Sequence, residues 1–405
     1  MRALRGELAN SADRETSIPA YAHRKVVVLV SAAPVDGYPP VQHQARLLAE
    51  HGFHVELITV PRVPGTREVS FTHPGVTTTV LPLRRGRGVQ TFMRLAELTA
   101  TLTGIRARYR RAQPIEIAYD PLAMLISDLA GFRPSLRVAH FHESLDALDK
   151  LWLEKRLRIA IRRYQEIVVA DRGRAQLLVG QLSLGKLPHV VPNYPLRLQD
   201  KPPNAAKSKG FELIYSGSIG SGHRLDVIIK ALCHCPEHVH LTILGDRDRP
   251  SVKALAKLAE GHALSGRVRF PGWVDYRQVT QRLSQAHLGV SLLDPHVPNF
   301  RFSMGASNKR YEYMRAGLAQ IGDMNPGVPG LIEGNGIGRC VTSFEPEELA
   351  GLIRSYVDDP AACAEQGDRA YLLHLSEFNY ENAFQPMLQC LTLAKCEEGV
   401  FHSTD

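Results

Sequence analysis

Ser307-Asn308-Lys309, with Glu312 one turn further on, combines residue types that could hold a nucleotide. Ser307 suits a helix N-cap, and Gly317 suits the position just past the helix end. A helix start offers unpaired backbone N–H groups and a partial positive charge, both suited to phosphate. Lys309 would add a cation. The Glu312 carboxylate could accept hydrogen bonds from ribose hydroxyls. A phosphate subsite next to a ribose subsite would bind a nucleotide-sugar. An ordinary capped helix with one exposed glutamate is the alternative.

Other candidate groups also follow strand-like runs. Gly217-Ser218-Ile219-Gly220-Ser221-Gly222 comes after Phe211–Tyr215 and before a helix. Glycines there let backbone amides approach a phosphate. Their spacing is not the dinucleotide-binding fingerprint, and a tight turn would explain it equally well. His223 and Arg224 follow. Arginine keeps its charge, whereas histidine near neutral pH is easily neutral. Gly245-Asp246 and Phe270-Pro271-Gly272-Trp273-Val274 close two more strands, and Trp273 could stack on a base or simply pack. In the first half, His140-Phe141-His142-Glu143 ends a strand. Its two histidines share a face but lack a third metal ligand.

These groups need a frame that gathers strand ends. Apolar runs at Lys25–Val30, His54–Val60, Val76–Leu81, Ile115–Tyr119, Arg137–Phe141, Ile167–Ala170 and Pro188–Val191 alternate with helical stretches. The alternation stops over 196–210 and restarts at Phe211–Tyr215, Val239–Leu244, Val268–Phe270 and His287–Leu293. This is an α/β pattern of two doubly wound parallel sheets. The expected division is a disordered tail over 1–24, a first Rossmann-like domain over 25–195, and a linker over 196–210. A second Rossmann-like domain would span 211–375, with a crossover helix over 376–398 returning to the first. Ligands of such sheets bind beyond the carboxyl ends of the strands, where all these groups lie.

Over residues 25–398 the chain resembles the GT-B glycosyltransferases, specifically glycosyltransferase family 4. Ser307 to Gly317 is similar to the family's Asn-Lys-Leu-Phe-Glu-Tyr-Met-Ala-x-Gly-x-Pro motif. The Gly217 loop is similar to Gly-x-(Leu/Ile)-x-x-Gly-(Arg/Lys)-Gly. Val190 to Pro195 is similar to Val-x-Pro-Asn-Gly/Tyr, and Asn379-Tyr380-Glu381 to Phe-x-Trp-Glu. The resemblance implies two domains facing across a cleft and transfer of a hexosyl group from a nucleotide-diphosphate donor such as a UDP-sugar. It implies retention at the anomeric carbon and no metal or other cofactor. His142 and Glu143 would be catalytic, touching donor sugar or acceptor. Gly37, Gly217, Gly220, His223, Arg224, Asp246, Trp273, Ser307, Asn308, Lys309 and Glu312 would bind the donor. Stabilisation of the departing diphosphate would be the main catalytic term. The sequence departs from the family pattern at several places, among them Tyr380 for a tryptophan and His223 at a usually basic position. Met304 stands eight residues before Glu312, where many members carry a glutamate, Ser218 replaces a frequent arginine, and no proline follows Gly317-Leu318.

A chain of 405 residues with 44% apolar content fits two soluble domains. No apolar run approaches the ~20 residues that span a bilayer. The six cysteines read as reduced cytosolic thiols. The net charge of +8 is uneven. Arginines 84, 85, 87, 94, 106, 108, 110 and 111 form one basic stretch. Lys150, Lys155, Arg156, Arg158, Arg162 and Arg163 form another, with apolar residues interleaved. Such segments suit an anionic membrane surface or a solvated helix face, and no nucleic-acid motif accompanies them. The expected location is cytoplasmic, with peripheral contact on the inner face of a membrane. The acceptor would be a carbohydrate, a lipid-linked sugar or a small molecule. An epimerase or phosphorylase on the same frame, or a non-catalytic subunit that binds nucleotide-sugar, would also fit. A nicotinamide dehydrogenase would not, since the first strand–helix turn lacks its glycines.

Overall fold

The computed structural model describes residues 25–63, 66–82, 89–109, 112–131, 133–145, 151–198 and 210–394. The tail over 1–24, Arg84, Arg85, Arg87, Arg110, Arg111, Lys150, linker residues 199–209 and residues 395–398 lie outside the described residues.

Aliphatic runs buried on both faces build the first lobe. Its strands are β1 (Val26–Pro34), β2 (His54–Val60), β3 (Val76–Val80), β4 (Ile115–Tyr119), β5 (Leu136–Phe141), β6 (Glu166–Val169) and β7 (His189–Val190). They form one parallel sheet in the order β3-β2-β1-β4-β5-β6-β7. Leu29 of β1 stands between Leu57 of β2 and Ile117 of β4. The second lobe holds β8 (Phe211–Ser216), β9 (Val239–Leu244), β10 (Val268–Gly272), β11 (Leu288–Val290), β12 (Ala319–Gly322) and β13 (Gly338–Cys340). Their order is β10-β9-β8-β11-β12-β13, again parallel. This is the GT-B arrangement of two Rossmann-like lobes. Strand order reverses between β1 and β4 and between β8 and β11, which places a ligand crevice at each reversal.

The run His287–Leu293 yields only a three-residue strand. Past it, the Leu293 N–H donates to the Asp323 carboxylate at 2.9 Å, which draws the chain out of the sheet. Strands β12 and β13 are too short and glycine-bearing to stand out in the sequence. Helix Asn308–Arg315 ends with Gly317 in the left-handed region (φ +67), as its glycine suggested.

Helix Tyr380–Leu393 returns to the first lobe. Its Tyr380, Phe384, Met387, Leu388 and Leu391 belong to the apolar cluster of Leu29, Leu57 and Ile117. Asn379 caps this helix by accepting from the Asn382 N–H. Residues 196–198 are packed down rather than loose. The Arg197 N–H donates to Glu381, and the Leu198 carbonyl accepts from Tyr371 Oη.

One buried ion pair fixes the helix that carries Glu312. Arg310 Nη2 lies 2.8 Å from Asp323 Oδ2, and both side chains are almost wholly buried. Arg310 Nη1 also donates to the Ser303 carbonyl, and Asp323 Oδ1 accepts from the Asn325 N–H. Such a pair adds little net stability, but removing one partner strands a buried charge. Asp323→Ala is therefore expected to cost about 3–5 kcal/mol. An unchanged midpoint of urea unfolding would contradict this.

Among the described residues the cysteines form no disulfide, and no helix is long and apolar enough to cross a membrane.

Candidate active site

Both crevices open onto one cleft of about 630 Å³, lined from both lobes. At the second-lobe reversal, Gly217 follows β8 with φ +137, a backbone that L side chains rarely adopt. A Cβ there would stand 3.3 Å from Lys309 Cε and 3.6 Å from its Nζ. The bare glycine thus leaves room for the ammonium group. Burial, with Arg310 alongside, pushes Lys309 down to about 7. Ser307 occupies the N-cap position, but its hydroxyl makes no capping bond. Ser307 Oγ and Asn308 Oδ1 are buried without protein partners. Buried polar atoms rarely go unpaired, so atoms like these facing a cleft mark a place for a ligand.

Glu312 lies one turn along, buried at 4% exposure, yet it lines the cleft. Its Oε1 accepts from Tyr276 Oη at 2.5 Å, and its Oε2 pairs with Arg315 at 2.6 Å. Each carboxylate oxygen keeps acceptor capacity for another hydroxyl. His43, from the first lobe, places Nε2 3.0 Å from the Tyr276 hydroxyl and Nδ1 3.1 Å from the Tyr194 carbonyl oxygen. Burial, followed by the charge of Arg315, pushes His43 down to about 3, so the ring is neutral. If Nδ1–H donates to that carbonyl, Nε2 is an acceptor. The single Tyr276 proton then serves both Nε2 and the carboxylate.

The opposite wall comes from β4 and β5. Asp120 follows β4 with φ +62. Its Oδ1 accepts from the backbone N–H groups of His142 (2.9 Å) and Glu143 (3.3 Å). This fixes the turn that presents both side chains. The His142 ring stacks on Tyr119, and its two nitrogens make no hydrogen bond. The Glu143 carboxylate accepts from Tyr38 Oη at 3.3 Å and from the Asn299 amide of the second lobe.

The lobes are stapled beside this wall. Arg174 donates to the carbonyls of His142 (2.5 Å), Asn299 (2.6 Å) and Phe302 (2.8 Å). Asp171 Oδ2 accepts from the Gly305 N–H at 2.9 Å. A Cβ on Gly173 would fall 2.2 Å from the Phe302 ring, and one on Gly305 would fall 2.2 Å from the Ala170 carbonyl oxygen.

Residues 197–372 match the family model described as glycosyl transferases group 1. The second lobe thus matches the glycosyl transferases group 1 model, and the two lobes together have the GT-B fold. No curated protein matches the sequence. Solved structures share the fold at low identity. A sucrose-phosphate synthase from Thermosynechococcus elongatus is 17% identical, with TM-score 0.70 over 91% of this chain and 98% of that one. HepE of Anabaena, solved with UDP and glucose, is 16% identical, with TM-score 0.67 over 92% and 100%. A TarM variant from S. aureus, solved with UDP, fondaparinux and α-GlcNAc-glycerol, is 10% identical, with TM-score 0.67 over 91% and 99%.

The cleft gathers His142, Glu143, Gly37, Gly217, His223, Asp246, Trp273, Ser307, Asn308, Lys309 and Glu312. Two expected donor contacts lie elsewhere. Gly220 packs under the His223 ring and is not among the lining residues. Arg224 sits in the left-handed region (φ +46), and its guanidinium faces Asp294 and the Phe344 ring. His223 does line the cleft. Burial, then the charge of Lys309, pushes it down to about 3, so it offers a hydrogen bond and no positive charge. Lys309, beside Gly217, and Arg249, beside Ser218, are the basic side chains at this end of the cleft. Arg62 lies over the Trp273 ring, which could stack on a base or simply pack. Met304 packs against the apolar cluster that holds Tyr311, Val328 and Ile337, while Asn299 and Ser303 face the cleft.

Tyr276, Arg62 and Arg249 line the cleft without having been singled out. Arg62 follows β2 directly, so its place beyond a strand's carboxyl end was the available signal. Tyr276 had none, because only the tertiary fold brings it to Glu312. Among the described residues, no group of three His, Cys, Asp or Glu side chains could hold a metal ion.

Proposed function

We propose that this glycosyltransferase moves a hexosyl group from a UDP-sugar to an acceptor hydroxyl, with retention and without a metal. One observation carries the reading: the buried Glu312 carboxylate shares its wall with Lys309 and with the unpartnered Ser307 Oγ and Asn308 Oδ1. That set suits a ribose beside a diphosphate. Lys309, the His223 ring and the start of helix Asn308–Arg315 would stabilise the charge that develops on the departing diphosphate. The C1–O bond to phosphate breaks as the acceptor oxygen bonds C1, and the acceptor's proton passes to the leaving diphosphate. His142 and Glu143, on the opposite wall, would hold the sugar and the acceptor. The UDP bound in the HepE and TarM structures favours uracil as the base. Isothermal titration with UDP, GDP and TDP tests this. Micromolar binding of UDP is expected, and a protein indifferent to all three would rule the reading out.

We also propose that the first lobe rests on anionic membrane. Lys155, Arg156 and Arg162 are exposed around helix Leu151–Ala160, together with Ile159 (62% exposed). Cosedimentation with phosphatidylglycerol vesicles should be strong at 50 mM salt and largely lost at 500 mM, since exposed charges are screened. Equal pelleting with neutral vesicles would count against it.

A further inference from the structure

Arg62 belongs to the first lobe, yet its three neighbours in the cleft point to a role at the nucleotide. The guanidinium carbon sits 4.0 Å from the centre of the Trp273 ring, a cation–π contact across the lobes. Nη2 lies 3.8 Å from Asp246 Oδ2, also in the second lobe. Nη1 is buried with no hydrogen-bond partner, although Arg62 lines the cleft. An arginine held on two sides with a buried Nη1 left unpaired has a place for an acceptor oxygen.

The sheet order says which part of a ligand would lie there. Gly217 and Lys309 mark the diphosphate at the reversal between β8 and β11. From there the strand ends run β8, β9, β10 toward the edge of the sheet. Asp246 follows β9 and Trp273 follows β10. Tyr276, three residues beyond Trp273, holds the Glu312 carboxylate assigned to the ribose. A nucleotide laid along this wall runs from phosphate at the reversal, past its ribose, to its base beneath Arg62.

We propose that Arg62 completes the base subsite from the opposite lobe, donating through Nη1 to a carbonyl oxygen of the nucleobase. The inference rests on the nucleotide-sugar reading of the same cleft. Its consequence is that base recognition and lobe approach are one event, since the second lobe alone lacks this donor.

The experiment compares UDP with ribose 5-diphosphate, the same ligand without its base, by titration calorimetry on full-length wild type, R62A, R62K and E312Q. R62A is expected to weaken UDP about tenfold and ribose 5-diphosphate less than twofold. R62K, a cation without the planar fork, should fall between wild type and R62A for UDP. E312Q should weaken both ligands. Equal losses on both ligands in R62A, or none on UDP, overturn the role of Arg62 while leaving the nucleotide site intact. Wild type that binds neither ligand overturns both proposals. Unchanged melting of R62A confirms that the fold is intact, and a variant that melts early is replaced by D246N. D246N is expected to lower the same UDP selectivity by loosening Arg62, and unchanged selectivity there also overturns the role.

Discussion

Glu312→Gln is expected to raise the UDP dissociation constant 10- to 100-fold. A hydrogen bond to a charged group is worth about 1.5–3 kcal/mol, and the ribose loses a charged acceptor. The amide keeps the side chain's volume and can still accept from Tyr276. It cannot neutralise Arg315, which sits 2.6 Å away at 10% side-chain exposure. The variant should therefore also be less stable, by a few kcal/mol, because a buried cation has lost its partner. The two effects separate in the double variant Glu312→Gln, Arg315→Met, which removes the stranded charge. Its stability should recover while nucleotide affinity stays low. If affinity returns with stability, Glu312 acts only by holding the fold, and its assignment to the ribose fails.

Lys309→Met is expected to lower kcat/KM about 10²- to 10³-fold, the scale of removing one preorganised group that faces developing charge. The pH dependence provides a second signature. In the empty cleft Lys309 loses its proton as pH rises through about 7, whereas a bound diphosphate favours the charged form. UDP binding should then take up a proton above pH 7, and its dissociation constant should climb toward tenfold per pH unit. Calorimetry in buffers of different ionisation enthalpy reads that uptake directly. The Met variant should show neither trend. Stability moves the opposite way. The folded value lies below the ordinary 10.5, so between about 7 and 10.5 the unfolded chain binds more protons. The empty protein should accordingly gain stability as pH rises across that window. A wild-type affinity flat from pH 6 to 9 would remove Lys309 from the phosphate end.

Much of the frame was legible because a buried parallel strand is a continuous aliphatic run, as in Val26–Val30, and a half-buried one alternates, as in Val239–Leu244. The helix start at Asn308 and its glycine stop were local signals too. The His142–Glu143 turn was visible as a pair, but the residue that sets it was not. Asp120 acts through a left-handed backbone and through bonds to residues over twenty positions away. The neutral state of His223 was open to its residue type, but the lowering of Lys309 was hidden, since burial causes it. Arg224 illustrates the converse. Its spacing matched a phosphate-binding cation, but its backbone conformation turns the side chain toward Asp294. The network of His43, Tyr276 and Glu312 joins three distant segments, which no short pattern could reveal.

The return of helix Tyr380–Leu393 to the first lobe sets a constraint on biosynthesis. Phe384, Met387 and Leu391 fill the same cluster as Leu29 and Leu57, yet they are translated more than three hundred residues later. During elongation the nascent amino-terminal half must wait on the ribosome with that oily face uncovered. A premature stop before the codon for Tyr380 would therefore release a polypeptide whose first lobe lacks part of its apolar cover.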